Sequence, residues 1–295
     1  DWSSDVCSSD LLSFMTMYIL MEGVGNPHAV VVSPAYQSLY QVLESLGCEL
    51  SYWEAEEREG EWIFDISKLR SLVRPETRLI VINFPHNPTG ATLSREGLEE
   101  IVEIGRSCGA YIYSDEMYRD LIIDEKITSV PPIYELYEKG ISLWGMAKSF
   151  GLAGARIGWI ASRDRWLIEQ LLVFKPYLSM CNSATSEILS AIVLNHPEAF
   201  LNPNIVKIKK NVSLFKEAVE SGKLPWVEKF IPPKGGSVAF VKISTEGSAR
   251  EWSTKLVHQR SILTVPGEMF ESPGKYIRIG FGRENFPEVL EMLSV

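Results

Sequence analysis

Residues 141–159 read ISLWGMAKSFGLAGARIGW, and this stretch decides the fold. An apolar strand runs into Lys148, and a glycine-rich turn (Gly151, Gly154, Gly158) then carries the chain past Arg156. Glycine permits the positive φ angles and close backbone approaches that such a turn needs. A lysine at the end of a buried strand is costly to keep charged, and as a free amine it can form a Schiff base. Arg156 adds a permanent forked cation of the kind that holds a phosphate. The same spacing also fits an ordinary solvated lysine beside a turn, so the remainder of the chain has to decide.

Working back from Ile141, strands and helices alternate. RLIVINF (78–84) is an apolar strand followed by the loop His86-Asn87-Pro88-Thr89-Gly90. Ser94 caps a helix over SREGLEEIVEIGRSCG, with Gly97 where a capping box would carry a glutamate. Ala110–Ser114 is the next strand, and Asp115-Glu116-Met117-Tyr118 follows it. Further back, HAVVVSP (28–34) and CELSYWEA (48–55) read as strands, with helices over 36–46 and 65–73 and an apolar helix over 12–21. Near-continuous apolar strands alternating with helices define an α/β fold with a mostly parallel sheet covered on both faces. Ligands of such sheets lie beyond the carboxyl ends of the strands. Asn87, Asp115 and Lys148 each stand just after a strand, so they point to one site.

Forward of Trp159 the pattern is helical from Arg163 to about Ser221, with breaks expected near Pro197 and Pro203. Strands are predicted over 237–243, 263–265 and 276–281, with a helix over 250–259, which reads as a smaller C-terminal α+β domain. The expected division is a large domain over 12–200 and a small one over 201–295.

The 295 residues carry a formal net charge of −9 with no basic block, which argues against nucleic acid as a partner. No apolar run is long enough to span a membrane. Cys7, Cys48, Cys108 and Cys181 are scattered, without CxxC or Cys/His clusters. That usage suits a reducing cytoplasm and argues against a disulfide frame or a zinc site. Residues 1–11, DWSSDVCSSDL, match one reading frame of a common sequencing adapter and are expected to be an artefactual leader. Without its three aspartates the net charge is −6. The expectation is that the native chain is truncated at this end.

Four motifs, HNPTG at 86–90, SDEMY at 114–118, AKSFGLAGARIGW at 147–159 and YIRIGFG at 276–282, occur in the order found in class I/II aminotransferases. The chain from Leu12 onward resembles that family of fold type I, pyridoxal-phosphate enzymes. The resemblance implies that Lys148 forms the Schiff base and shuttles a proton, and that Asp115 pairs with the pyridine nitrogen. It implies that Asn87 and Tyr118 bond the cofactor's phenolic oxygen, Tyr36 stacks on its ring and Arg156 binds its phosphate. Arg278 is implied as the receptor of the substrate α-carboxylate, with Asn87 beside it. Plain readings stand beside these: a helix cap for Asp115, an Asn-Pro turn for Asn87, core packing for Tyr36 and a surface strand charge for Arg278. Tyr118 reads equally as a half-buried aromatic with its hydroxyl in water, and His86 as a pocket-wall residue rather than a general base.

Two departures stand out. A serine common in the family three residues before the lysine is Gly145 here, and neither Ser142 nor Ser149 is a clear substitute. The phosphate-cradling turn is expected just upstream of Leu12, inside the leader, so the phosphate cup is expected to be incomplete and the chain weakened by it. The resemblance implies amino transfer between an amino acid and a 2-oxo acid by a homodimer. A lyase, decarboxylase or cyclase on the same fold remains open, as does a cofactor-binding sensor half of a transcription regulator.

Overall fold

A computed structural model describes residues 3–4 and 9–294, Pro273 excepted. In chain order, β1 (Ser3–Ser4) precedes α1 (Ser9–Met21), β2 (His28–Ser33), α2 (Gln41–Ser45) and β3 (Glu49–Glu54). A small hairpin, β4 (Glu56–Arg58) and β5 (Glu61–Ile63), leads to α3 (Ile66–Leu72) and β6 (Thr77–Asn83). Then come α4 (Arg95–Cys108), β7 (Tyr111–Asp115), α5 (Ile133–Leu136), β8 (Gly140–Gly145) and β9 (Gly158–Ser162). Helices α6 (Arg165–Phe174), α7 (Ala184–Asn195) and α8 (Pro197–Glu220) follow. The chain closes with β10 (Val227–Lys229), β11 (Val238–Ile243), α9 (Ala249–Arg260), β12 (Val265–Pro266), β13 (Tyr276–Gly280) and α10 (Phe286–Leu293).

Seven strands form one sheet in the order β1-β9-β8-β7-β6-β2-β3. The pairs from β8 through β3 are parallel, whereas β9 and β1 run antiparallel at one edge. The strands are apolar because helices cover both faces. Val30, Val31, Leu79, Ile80, Ile112 and Leu143 are essentially inaccessible. Helix α4 shows the local logic. Ser94 accepts the Gly97 N–H at 3.1 Å, Gly109 ends the helix at φ 71°, and Leu98, Ile101 and Val102 face the sheet. The expected mostly parallel α/β sheet is what the structure has.

A second, wholly antiparallel sheet has the order β10-β11-β13-β12 and its own core, in which Phe215 of α8 packs on Phe230 and Phe281. Several local expectations change. Helix α8 runs through Pro203 unbroken, because burial of Ile208, Val212 and Phe215 along it outweighs one missing hydrogen bond. The anticipated division at 200/201 falls inside this helix. The stretch 36–46 splits into a 3₁₀ turn, Gln37–Leu39, and α2. The strand expected at 263–265 is Val265–Pro266. Strand β9 and the β4–β5 hairpin carry no clear periodicity and were not anticipated. Described residues of the segment 1–11 take part as well. Ser3 and Ser4 pair with Ile160 and Trp159, and α1 begins at Ser9, since the open edge of β9 offers unpaired backbone groups to any extended chain.

Candidate active site

The strands β6, β7 and β8 end side by side, and the candidate residues gather beyond their carboxyl ends. Asp115 closes β7 and is 8% exposed. Its Oδ1 accepts the Met117 N–H at 3.0 Å, an Asx-type turn rather than the cap of a helix. Burial lifts its pKa to about 6, partly offset by that backbone bond and by the nearby Lys148 ammonium. Among the described residues no hydrogen bond reaches Oδ2.

Asn87 lies in the loop after β6 and is buried. Its Oδ1 accepts from Arg278 Nη1 at 2.9 Å. A guanidinium only donates, so the amide Nδ2 must point the other way, where among the described residues it too has no hydrogen-bond partner. Arg278 rises from β13 with its guanidinium 5.3 Å above the Phe270 ring, so it is not a free surface charge. Tyr118 is 5% exposed and packs with the core of the second sheet rather than standing half in water. Tyr36, by contrast, is 40% exposed, which removes the core-packing reading. Its hydroxyl pKa is raised, first by burial, and its electrostatic neighbours include Arg278, Asp115 and Tyr118. Tyr36, Asn87, Asp115, Tyr118, Arg278 and Lys148 thus form one cluster.

One expectation needs correction. Lys148 is exposed, not buried. Strand β8 stops at Gly145, and the chain has left the sheet before Lys148, so the side chain stands over the strand ends instead of inside them. Arg156 lies eight residues beyond Lys148, after the glycine turn. It sits at φ 53° after a 3₁₀ turn, exposed, with Nη1 donating to the Ala153 carbonyl at 3.3 Å. The stretch just before α1, where the cradling turn is expected, falls on residues 5–8, outside the described residues.

The departure at Gly145 has a steric cause. A Cβ there would lie 2.8 Å from the Ile157 carbonyl oxygen, where β8 and β9 pair Gly145 with Gly158, so no serine fits. Nor do the neighbouring serines substitute. Ser142 Oγ donates to Glu116 Oε1 at 2.7 Å, and Ser149 Oγ to the backbone carbonyls of Met117 and Arg119.

His86 is buried with Nδ1 sharing a 2.7 Å hydrogen bond with Thr89 Oγ1 and its ring edge-on to Phe64. Nε2 lies near the Pro34 carbonyl at a geometry short of a hydrogen bond. Burial pushes its pKa down to about 3, so it is neutral and serves as wall, not base. Phe84 packs with Trp53 and Phe64 as core. Trp144 packs tilted against Phe150 and edge-on to Trp159, beside Arg119.

Sequence reasoning passed over Asn83, whose side chain bonds both the Asp115 carbonyl and the Asn87 amide. The one signal was a polar residue closing an otherwise apolar strand. It also passed over Phe270, the ring beneath Arg278, and Glu116, which is buried against Arg119 and Ser142.

A mostly parallel sheet thus gathers a carboxylate, a carboxamide, a phenol, an amine and a guanidinium past its strand ends, a site of the α/β class. The sequence model described as "Aminotransferase class I and II" matches residues 17–293, and the chain belongs to that family. It is similar to the capreomycidine synthase of Streptomyces vinaceus, 29% identical over 85% of this chain and 63% of that protein. It is similar also to the aromatic-amino-acid aminotransferase 2 of Thermococcus litoralis, 29% identical over 80% of this chain and 61% of the other. The chain therefore spans a little over three fifths of the length of these curated relatives. Among solved structures, a PLP-dependent aminotransferase from Streptococcus suis superposes with a TM-score of 0.88 at 34% identity, over 98% of this chain and 74% of that one.

Proposed function

We propose that the chain carries the reaction centre of a pyridoxal-phosphate-dependent aminotransferase, which moves an amino group between an amino acid and a 2-oxo acid. The observation that carries this reading is the pair of polar atoms without a hydrogen bond among the described residues, Asp115 Oδ2 and Asn87 Nδ2, grouped with Lys148 and Arg278. The donor set fits the cofactor: an acceptor for a pyridinium N–H, a donor for a ring oxygen, a primary amine for an aldehyde and a guanidinium for a carboxylate. When bound, pyridoxal phosphate supplies an electron sink that acidifies the substrate α-carbon.

Each residue then has a task. Asp115 holds the ring nitrogen protonated, since its carboxylate is ionised at neutral pH and an apposed cation favours that form. Asn87 and Tyr118 hold the ring oxygen, and the exposed Tyr36 covers a ring face. Lys148 tethers the cofactor through Nζ and, once displaced, moves the proton at the α-carbon. Arg278 spends one N–H on Asn87 and keeps the others for the donor's α-carboxylate. Arg156 is the phosphate ligand in this reading, and its exposure leaves its guanidinium accessible.

Further parts of the reading concern context. A homodimer accords with the apolar side chains that α6, α7 and the turn between them expose, among them Val173, Tyr177, Met180 and Ile188. Sedimentation of the purified chain tests this, and a monomer at all concentrations overturns it. A cytoplasmic setting accords with the unpaired Cys48, Cys108 and Cys181. Among the described residues no helix is long and apolar enough to cross a membrane.

Borohydride reduction of the chain with pyridoxal phosphate should fix the cofactor's mass on the Lys148 peptide, with Lys148→Ala as control. In a separate, unreduced sample, addition of amino acids should yield 2-oxo acids. Absence of the adduct overturns the reading. The alternative reading is a lyase, decarboxylase or cyclase on the same fold. An adduct with release of ammonia or carbon dioxide, and no amino transfer, supports that one instead.

A further inference from the structure

Asn83 is the last residue of β6 and is 2% exposed. Its register partner on the neighbouring strand is Asp115 itself. Asn83 Nδ2 donates to the Asp115 carbonyl at 2.8 Å, and Asn83 Oδ1 accepts the Asn87 N–H at 2.9 Å. One partner is an acceptor and the other a donor, so only this orientation of the carboxamide satisfies both. Asn87 passes the constraint on by accepting from Arg278 at 2.9 Å. A strand end, a loop and a residue of the second sheet are thereby linked through three bonds. Burial keeps water from replacing Asn83 in the two that it makes.

We propose that Asn83 is a positioning residue: it holds Asp115 and Asn87 at a fixed separation, so that carboxylate and carboxamide meet the same ligand, and through Asn87 it sets the place of Arg278. The proposal rests on the reading of this cleft as the site for pyridoxal phosphate and an amino donor. It assigns Asn83 no contact with either.

The test is the affinity of the chain for pyridoxal phosphate, measured by absorbance titration for wild type, Asn83→Leu and Asn83→Asp. Leucine keeps the branched heavy-atom framework, though it is larger, and removes both bonds; it weakens binding about tenfold or more, the effect of stranding buried partners. Aspartate is the informative variant. Uncharged, its carboxyl donates and accepts as the amide does; ionised, it only accepts. Burial beside Asp115 favours the uncharged form. The affinity of Asn83→Asp, as a ratio to wild type at each pH, should therefore be near one at about pH 5 and fall towards the leucine value by about pH 8. A merely space-filling role would leave that ratio flat. Thermal unfolding without cofactor checks that each variant folds, and the aspartate series suffices if the leucine variant does not. A flat ratio, or a leucine variant that binds like wild type, overturns the proposal alone. A wild-type chain that forms no adduct at Lys148 overturns the reading of the cleft and the proposal with it.

Discussion

Arg278 and Asn87, 191 positions apart in sequence, are joined by a 2.9 Å hydrogen bond from the Nη1 of one to the Oδ1 of the other. The bond ties β13 of the second sheet to the loop beyond β6 of the first. With the Phe270 ring 5.3 Å below, the guanidinium is held as a planar fork between two fixed supports. Arg278→Lys keeps the charge and loses the fork, the stacking and the reach to Asn87 together. The Michaelis constant for amino-acid donors should rise about 10- to 100-fold, while the adduct at Lys148 still forms. Steady-state kinetics beside the borohydride assay separates the two effects, and an unchanged Michaelis constant would mean that the carboxylate binds elsewhere.

Asp115 makes the cofactor-free chain sensitive to pH in a particular direction. Its pKa is raised to about 6 by burial foremost, above the ordinary carboxyl value of 3.8. The folded form holds the proton more tightly than the unfolded one. This group's contribution to stability is therefore full below about pH 3.8 and lost as pH rises through about 6. Asp115→Asn removes the buried charge and should stabilise the cofactor-free chain at neutral pH by about 2–3 kcal/mol. The same change should abolish amino transfer, because a neutral amide does not hold the ring nitrogen protonated. Chemical unfolding of both chains at about pH 7 measures the first effect, and equal stability there would contradict the assigned burial cost.

The sequence made the sheet readable because its strands are long apolar runs, and it made Asn87, Asp115 and Lys148 readable because each follows such a run. Other features depended on register, which a single strand does not display. Asn83 gains its importance only when β6 and β7 align so that it faces Asp115. Lys148 read as buried because MAK continues the apolar run, whereas the strand actually ends where Gly145 meets Gly158 across the hairpin. The β4–β5 hairpin was illegible because EEREGEWI is mostly charged, and its apolar member, Trp62, packs on Phe240 and Tyr276, far along the chain.

Gly90 ends the HNPTG turn at φ 73°, and its role is contact between the two halves of the molecule. Its carbonyl accepts the N–H groups of both Lys234 and Gly235 at 3.0 Å. A Cβ on residue 90 would lie 2.3 Å from Pro233 Cβ, so even alanine would push residues 233–235 away. Gly90→Ala should therefore cost about 2–4 kcal/mol, beyond the penalty of positive φ alone. A loss under about 1 kcal/mol by chemical unfolding would show that the Pro233 segment yields freely.

Trp62 tests what holds the hairpin against the second sheet. Its ring centroid lies 6.3 Å from Phe240 and 5.9 Å from Tyr276, and Phe240 is the register partner of Arg278. Ion pairs flank this contact, Glu57 with Lys229 and Glu61 with Lys234. Both pairs are solvent-exposed, and such pairs contribute about 0–1 kcal/mol each, less as salt rises. Trp62 displaces more water and fixes ring geometry, so the aromatic contact should dominate. Trp62→Ala should lower stability by about 2–3 kcal/mol and raise the donor Michaelis constant by loosening Phe240 beside Arg278. Glu57→Gln and Glu61→Gln should each cost under about 1 kcal/mol. Chemical unfolding at low and high salt distinguishes the cases. A Trp62→Ala loss no larger than the Glu→Gln losses, or one that vanishes in high salt, would make the attachment electrostatic and remove the link to Arg278.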